Sequence, residues 1–341
     1  MKRTMLRDRV WTLQIVVATV FILITFLIAG GLIWYSHRQM TNLIELEVQA
    51  DFTRIGDEIR TGLNEELEPA SVFLHTLSLT LHTDVSLEQL ARELPPLLQA
   101  LQRVFPSASS FFVGKGDGSF VFVQDLAAGI PPPIEDIVPT EAAYALEIVI
   151  IETQGTHSQW IMLDRSLRAI AAADRRPTTF DPRERTWYQL ASGVEGAVLT
   201  SVYSCANIPD IGLTMARRSA RMGNAILGID IMLTELDALL EAQRAVPSME
   251  LFLFDTKGVL VAHPDGAALR EAARSRSPDD LPYLGITTSP LLRQLYRAYG
   301  EKGLNEFSLD LEGRRHLVRF ESAGGALGDL VIGMAYPYDE I

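Results

Sequence analysis

The chain has 341 residues, 48% of them hydrophobic, and its 30 basic and 43 acidic side chains leave a net charge of −13. That length allows two or three domains with real cores, and an acidic surface without a basic, aromatic-interleaved stripe argues against nucleic-acid binding. One cysteine, Cys205, excludes an internal disulfide and reads as an inert small residue. The histidines at 37, 75, 82, 157, 263 and 316 lack metal-ligand spacing, so no metal or cofactor is expected.

Charge is unevenly placed. Lys2, Arg3, Arg7, Arg9 and Arg38 face only Asp8 in the first 38 residues, whereas the rest holds 25 basic and 42 acidic residues. Residues 10–35 contain no charge and are rich in Ile, Val, Leu and Phe, with Trp11 at one end and Trp34-Tyr35 at the other. A helix of that length covers about 35–40 Å, enough to cross a ~30 Å hydrocarbon core with tilt. The basic flank puts residues 1–9 in the cytoplasm and residues 36–341 outside it, in the periplasm. A cleaved signal peptide is the alternative, but its apolar region would be shorter and end at a small-residue cleavage site.

Over 38–82 apolar residues recur at helical spacing, among them Leu43, Phe52, Ile55, Ile59, Leu63, Phe73 and Leu77. This predicts a stalk helix over 36–82 whose stripe packs a partner copy near the membrane, giving a homodimer, and its own domain farther out, or else lies only on its own domain. A second helix over 87–104 is expected to be interrupted at Pro95-Pro96. Strands follow at 110–113 and 120–123 around the Gly116-Asp117-Gly118 turn, then at 144–151, 159–163, 167–172, 212–218 and 225–232. After a helix over 234–244, a second strand set is predicted at 250–254, 259–263, 306–311, 315–320 and 330–335, with a helix over 290–299. The fold class is therefore α+β, two antiparallel-sheet lobes joined near Val246-Pro247 and covering 83–246 and 247–341.

The candidate site begins at Phe180-Asp181-Pro182-Arg183-Glu184-Arg185-Thr186-Trp187-Tyr188. Arg185 offers a bidentate fork for a carboxylate, and Trp187 and Tyr188 offer apolar walls with polar tips; alternatively Arg185 simply stacks on Trp187. Asp230 interrupts the apolar run 225–232, and alternation sets it beside Gly228, opposite in face to Leu227, Ile229 and Ile231. A carboxylate in such a strand requires a partner: either an Arg185–Asp230 pair, or a ligand ammonium admitted through the space Gly228 leaves. No G-x-S-x-G, H-E-x-x-H or phosphate-loop motif occurs, so no catalytic residue is expected.

The segment resembles the signature of double-Cache (dCache) extracytoplasmic sensor domains of bacterial transmembrane receptors, read as Tyr-x4-Arg-x-Trp-Tyr-x2-Ala, then a Tyr, then an Asp at a strand end. The matching residues are Arg185, Trp187, Tyr188, Ala191, Tyr203 and Asp230, with Phe180 standing in place of the opening Tyr and Thr186 where Pro is frequent. The resemblance covers about residues 38–340 and implies two PAS-like lobes behind a long helix. It further implies a ligand site in the membrane-distal lobe, where Arg185 and the first aromatics hold a carboxylate and Tyr203 and Asp230 an amino group. The expected ligand is an amino acid, an amine or a small carboxylate. Any output activity, such as a nucleotide cyclase, kinase or diguanylate cyclase, is expected in a cytoplasmic part beyond Ile341. Two other functions stay open: a structural dimerisation module with a vestigial pocket, and an anchored enzyme using Arg185, Asp230 and Glu184.

Overall fold

The computed structural model describes residues 2–82, 85–128, 132, 134, 138–204, 211–274, 281–311, 313–324 and 329–340. Cys205 lies outside the described residues. Residues 1–54 and 55–340 form two compact units. Helix α1 is assigned over Lys2–Thr80. Among the described residues no helix is long and apolar enough to cross a membrane; the span expected over 10–35 lies partly outside the described side chains. Within it Phe21, Phe26, Leu27, Ile33 and Trp34 are largely exposed.

In the second unit α2 (Leu87–Leu101) opens with Ser86, whose hydroxyl accepts a hydrogen bond from the Gln89 amide at 3.2 Å. Contrary to expectation, Pro95 and Pro96 do not interrupt it. Two missing N–H groups cost hydrogen bonds, but Leu90, Leu94, Leu98 and Leu101 on the buried face hold the helix together.

The first sheet has ten strands: β1 (Ala108–Gly114), β2 (Phe120–Asp125), β3 (Tyr144–Glu152), β4 (Gly155–Leu163), β5 (Ala169–Ala172), β6 (Arg176–Pro177), β7 (Ala197–Leu199), β8 (Tyr203–Ser204), β9 (Ile211–Arg218) and β10 (Ile226–Ile231). Their order is β5-β4-β3-β2-β1-β10-β9-β7, with β6 on β4 and β8 on β9, all antiparallel. The β1–β2 turn is the predicted one: Gly118 has φ +93°, and the Asp117 carboxylate accepts from the Ser119 amide and hydroxyl. One face packs on α1, where Phe73 meets Phe111 edge-on at 5.5 Å. The other carries Phe112, Phe120, Phe122 and Trp160 and is covered by α3 (Thr186–Ser192) through Trp187 and Ala191.

Helix α4 (Thr234–Gln243) leads to the second sheet, formed by β11 (Glu250–Asp255), β12 (Leu260–Ala262), β13 (Glu306–Leu311), β14 (Arg314–Ser322) and β15 (Leu330–Pro337) in the order β12-β11-β15-β14-β13. Helix α6 (Pro290–Lys302) covers it with Leu292 and Leu295 in the core. A helix absent from the sequence reading, α5 (Gly266–Arg274), is tied to α4 by the buried pair Arg270–Asp237. His263 is structural: its ring meets the Glu250 carboxylate at 3.0 Å and accepts from the Asp265 amide. The part of α1 beyond residue 55 also reaches this sheet, where Arg60 pairs with Glu321 at 2.9 Å. The α+β class, the long N-terminal helix and two antiparallel sheets agree with the sequence reading.

Candidate functional site

Strand alternation puts Asp230 and Gly228 on one face, as expected, and pairing makes it the Phe112 face of the first sheet, because Asp230 pairs with Ser110 and Gly228 with Phe112 across β10 and β1. The room expected beside Gly228 is not there. A Cβ at that position would lie 2.2 Å from the Phe112 ring, so the missing side chain admits an aromatic ring of the protein rather than a ligand.

Asp230 is buried within a set of hydroxyls. Ser110 Oγ donates to Oδ2 and Thr214 Oγ1 donates to Oδ1, each at 2.6 Å. Tyr203 OH lies 2.5 Å from Thr214 Oγ1, and since the threonine's one hydrogen goes to Asp230, Tyr203 donates to Thr214. Burial pushes the Asp230 carboxyl up from its ordinary range, against the pull of the Ser110, Thr214 and Tyr203 hydroxyls and of the Arg185 charge. Ser110 and Thr214 escaped the sequence reading. They come from strands on either side of β10, and only the register 110↔230↔214 brings them to the carboxylate.

Arg185 caps the single-turn 3-10 helix Pro182–Glu184 and precedes α3. Among the described residues its guanidinium forms no ion pair, although Asp230 feels its charge. It lies over Phe180, 6.0 Å from the ring centroid, rather than stacked on Trp187. Phe180 packs in turn on Phe120 at 4.8 Å. The neighbouring Arg183 is engaged by Asp181 at 2.7 Å, and Glu184 is exposed.

The remaining aromatics have structural contacts. Trp187 is buried against Phe112 at 4.7 Å and would strike a Cβ on Gly114 at 2.8 Å. Tyr188 donates its hydroxyl to the Asn224 carbonyl at 2.6 Å, at the end of β10 remote from Asp230. Thus Tyr203 reaches Asp230 through Thr214, Arg185 lies over Phe180, and Phe180, Trp187 and the Tyr188 hydroxyl pack toward the Gly114–Ile226 end of the face. A buried carboxylate backed by hydroxyl donors, with a guanidinium close but not clasping it, offers separate places for a cation and an anion. Two hollows, about 740 Å³ near Asp125, Glu141 and Asp164 and about 530 Å³ between α1 and β7, are lined by none of these residues. Among the described residues no acidic, histidine or cysteine cluster suits a metal.

No known family profile matches the chain. A methyl-accepting chemotaxis protein, PscA of Pseudomonas syringae pv. tomato, is 26% identical over 120 residues, which is 34% of this chain and 19% of that protein. The Campylobacter jejuni chemoreceptor Tlp3 is similar in structure. Its sensory domain with isoleucine bound and its ligand-binding domain in complex with L-valine both align with TM-score 0.53 at 16% identity, over 87% of this chain and 95% of theirs. What is shared at that identity is architecture: the chain has the dCache fold of chemoreceptor ligand-binding domains.

Proposed function

We propose that this chain is the extracytoplasmic sensory part of a bacterial transmembrane receptor, binding an amino acid or a related amine or carboxylate in its first lobe. The observation that carries this reading is the buried Asp230, backed by Ser110 and Thr214 and held apart from Arg185. An α-ammonium lodged at Asp230 offsets the cost of a buried charge, and Arg185 receives the carboxylate of the same molecule. Phe180, Trp187 and Tyr188 complete the site as walls, and Tyr203 adds a hydroxyl beside Asp230. The Tlp3 domains with isoleucine and valine support the ligand class.

In this reading residues 10–35 are the membrane span, residues 36–82 the stalk and homodimer contact, 83–246 the ligand-binding lobe and 247–341 the membrane-proximal lobe. The exposed apolar side chains at Phe21, Phe26, Leu27 and Ile33 favour lipid over water as their surroundings. Helix α1 supplies a route for the signal, since it meets the first sheet through Phe73 and the second through Arg60. Ligand that favours one arrangement of the first sheet shifts that helix by its differential affinity. The output, a chemotaxis, cyclase or kinase module, lies outside this chain.

The test is a thermal-shift screen of the full chain in detergent micelles against amino acids, amines and small organic acids. A ligand at 100 times its Kd adds about 2.7 kcal/mol of stability. Arg185→Ala and Asp230→Ala should each abolish the shift. If no compound shifts the wild type, the structural dimerisation module, favoured by the hydroxyls that already satisfy both Asp230 oxygens, takes its place.

A further inference from the structure

The strand that opens the first sheet is apolar from Phe111 to Val113, yet it is entered through Ser107-Ala108-Ser109-Ser110, whose three serines are buried. A buried hydroxyl is costly unless it is hydrogen-bonded, and each of these is. Ser110 Oγ donates to the Asp230 carboxylate at 2.6 Å, and Ser109 Oγ donates to the backbone carbonyl of the same residue at 3.2 Å. Ser107 Oγ instead donates to Glu66 Oε1 of α1, at 2.6 Å. Pairing is irregular across this run. Ser110 opposes Asp230 and Ala108 opposes Ile231, so two steps along β1 match one along β10, and Ser109 is the extra residue of a β-bulge. The insertion lies between the serine that touches the buried carboxylate and the serine that touches the helix.

We infer that this bulged serine run couples Asp230 to α1, and that Glu66 is the residue of the helix that receives the signal. The inference rests on the sensory reading proposed above and names the route out of its site. A bulge leaves one residue without a ladder partner, so the strand yields there more readily than in a regular pair. An ammonium drawing on the Asp230 carboxylate alters its hold on Ser110. The resulting displacement reaches Ser107 across three residues, roughly 10 Å of strand. There it meets a contact that registers direction. Apolar packing of α1 on the sheet, such as Phe73 against Phe111, is non-directional and tolerates small slides, whereas the Ser107–Glu66 hydrogen bond weakens steeply when its alignment is lost.

The experiment is hydrogen–deuterium exchange of the full chain in detergent micelles, read on α1 peptides around Glu66 with α6 as internal reference. It needs no ligand, because Asp230→Asn and Ser110→Ala each disturb the bond between carboxylate and bulge, and either suffices if the other fails to fold. Each should raise exchange around Glu66 at least three-fold relative to α6. That increase should vanish in a Ser107→Ala background and persist in Thr76→Ala, an exposed position whose hydroxyl bonds to the Val72 carbonyl of its own helix. Glu66→Gln keeps an acceptor oxygen and should preserve the response, whereas Glu66→Ala should abolish it. No increase from either disturbance, or an increase that survives Ser107→Ala, overturns the inference. Where an amino acid binds, Ser107→Ala should leave its Kd unchanged and remove its effect on α1. If no compound binds while Asp230→Asn is still felt at Glu66, the coupling stands and the ligand reading falls.

Discussion

Glu147 of β3 is only 4% exposed, set between Phe122 and Trp160, and that burial makes a prediction that needs no ligand. Burial pushes its carboxyl up to about 7 from an ordinary 4.5, with the Ser158 hydroxyl bond acting in the opposite direction. Between those two pH values the folded chain keeps a proton that the unfolded chain has released, so stability falls as pH rises through the window. Below about 4.5 both states hold the proton, and above about 7 the penalty is constant. At about 1.4 kcal/mol per pH unit the whole window costs about 3 kcal/mol. Glu147→Gln keeps the shape and a hydrogen bond to Ser158 but has no proton to lose. The difference in Tm between variant and wild type, measured by calorimetry of the full chain in micelles, should widen in favour of the variant from pH 4.5 to 7.5. At roughly 2 °C per kcal/mol for a domain of this size the widening is about 6 °C. Asp230 titrates identically in both proteins, so its contribution cancels. Parallel Tm–pH curves would refute the reasoning, because they would mean that Glu147 carries no burial penalty.

Gly228→Ala should destabilise the chain by about 1–3 kcal/mol in urea unfolding, since the new methyl lands 2.2 Å from the Phe112 ring. Asp237→Ala or Arg270→Ala breaks a buried pair and should cost about 3–5 kcal/mol, with the double variant costing clearly less than the sum. Ser86→Ala removes the cap of α2 and should cost about 1 kcal/mol in the same assay.

Much of the architecture was legible because alternation and turn chemistry are local. The Gly116-Asp117-Gly118 hairpin, the shared face of Gly228 and Asp230 and the longer strands of both sheets follow from residues within a few places of one another, whereas the short strands β6, β7 and β8 were not predicted. What escaped depends on partners distant in sequence. Ser110 and Thr214 reach Asp230 only through strand register, and nothing in the 225–232 run reveals that Phe112 fills the space over Gly228. Glu147 was hidden inside an apolar strand for the same reason: alternation names two faces, but pairing decides which one carries the aromatic rings. The prolines of α2 misled because a local penalty was outweighed by a buried leucine face. For the Tyr188 hydroxyl, the motif is silent on the Asn224 carbonyl that engages it.

The same ring-over-glycine contact occurs in each sheet, between the strands that open and close it. Phe112 of β1 sits over Gly228 of β10, and Phe252 of β11 over Gly333 of β15. These are the pairings between the most sequence-distant strands of each sheet, where a mistaken alignment would be hardest to correct. A slip of two residues would set the Phe112 ring opposite Ile226 or Asp230, and either side chain occupies the volume that the ring requires. Each lobe therefore carries a steric key at its central seam, one that admits a single alignment when the last strand returns to meet the first.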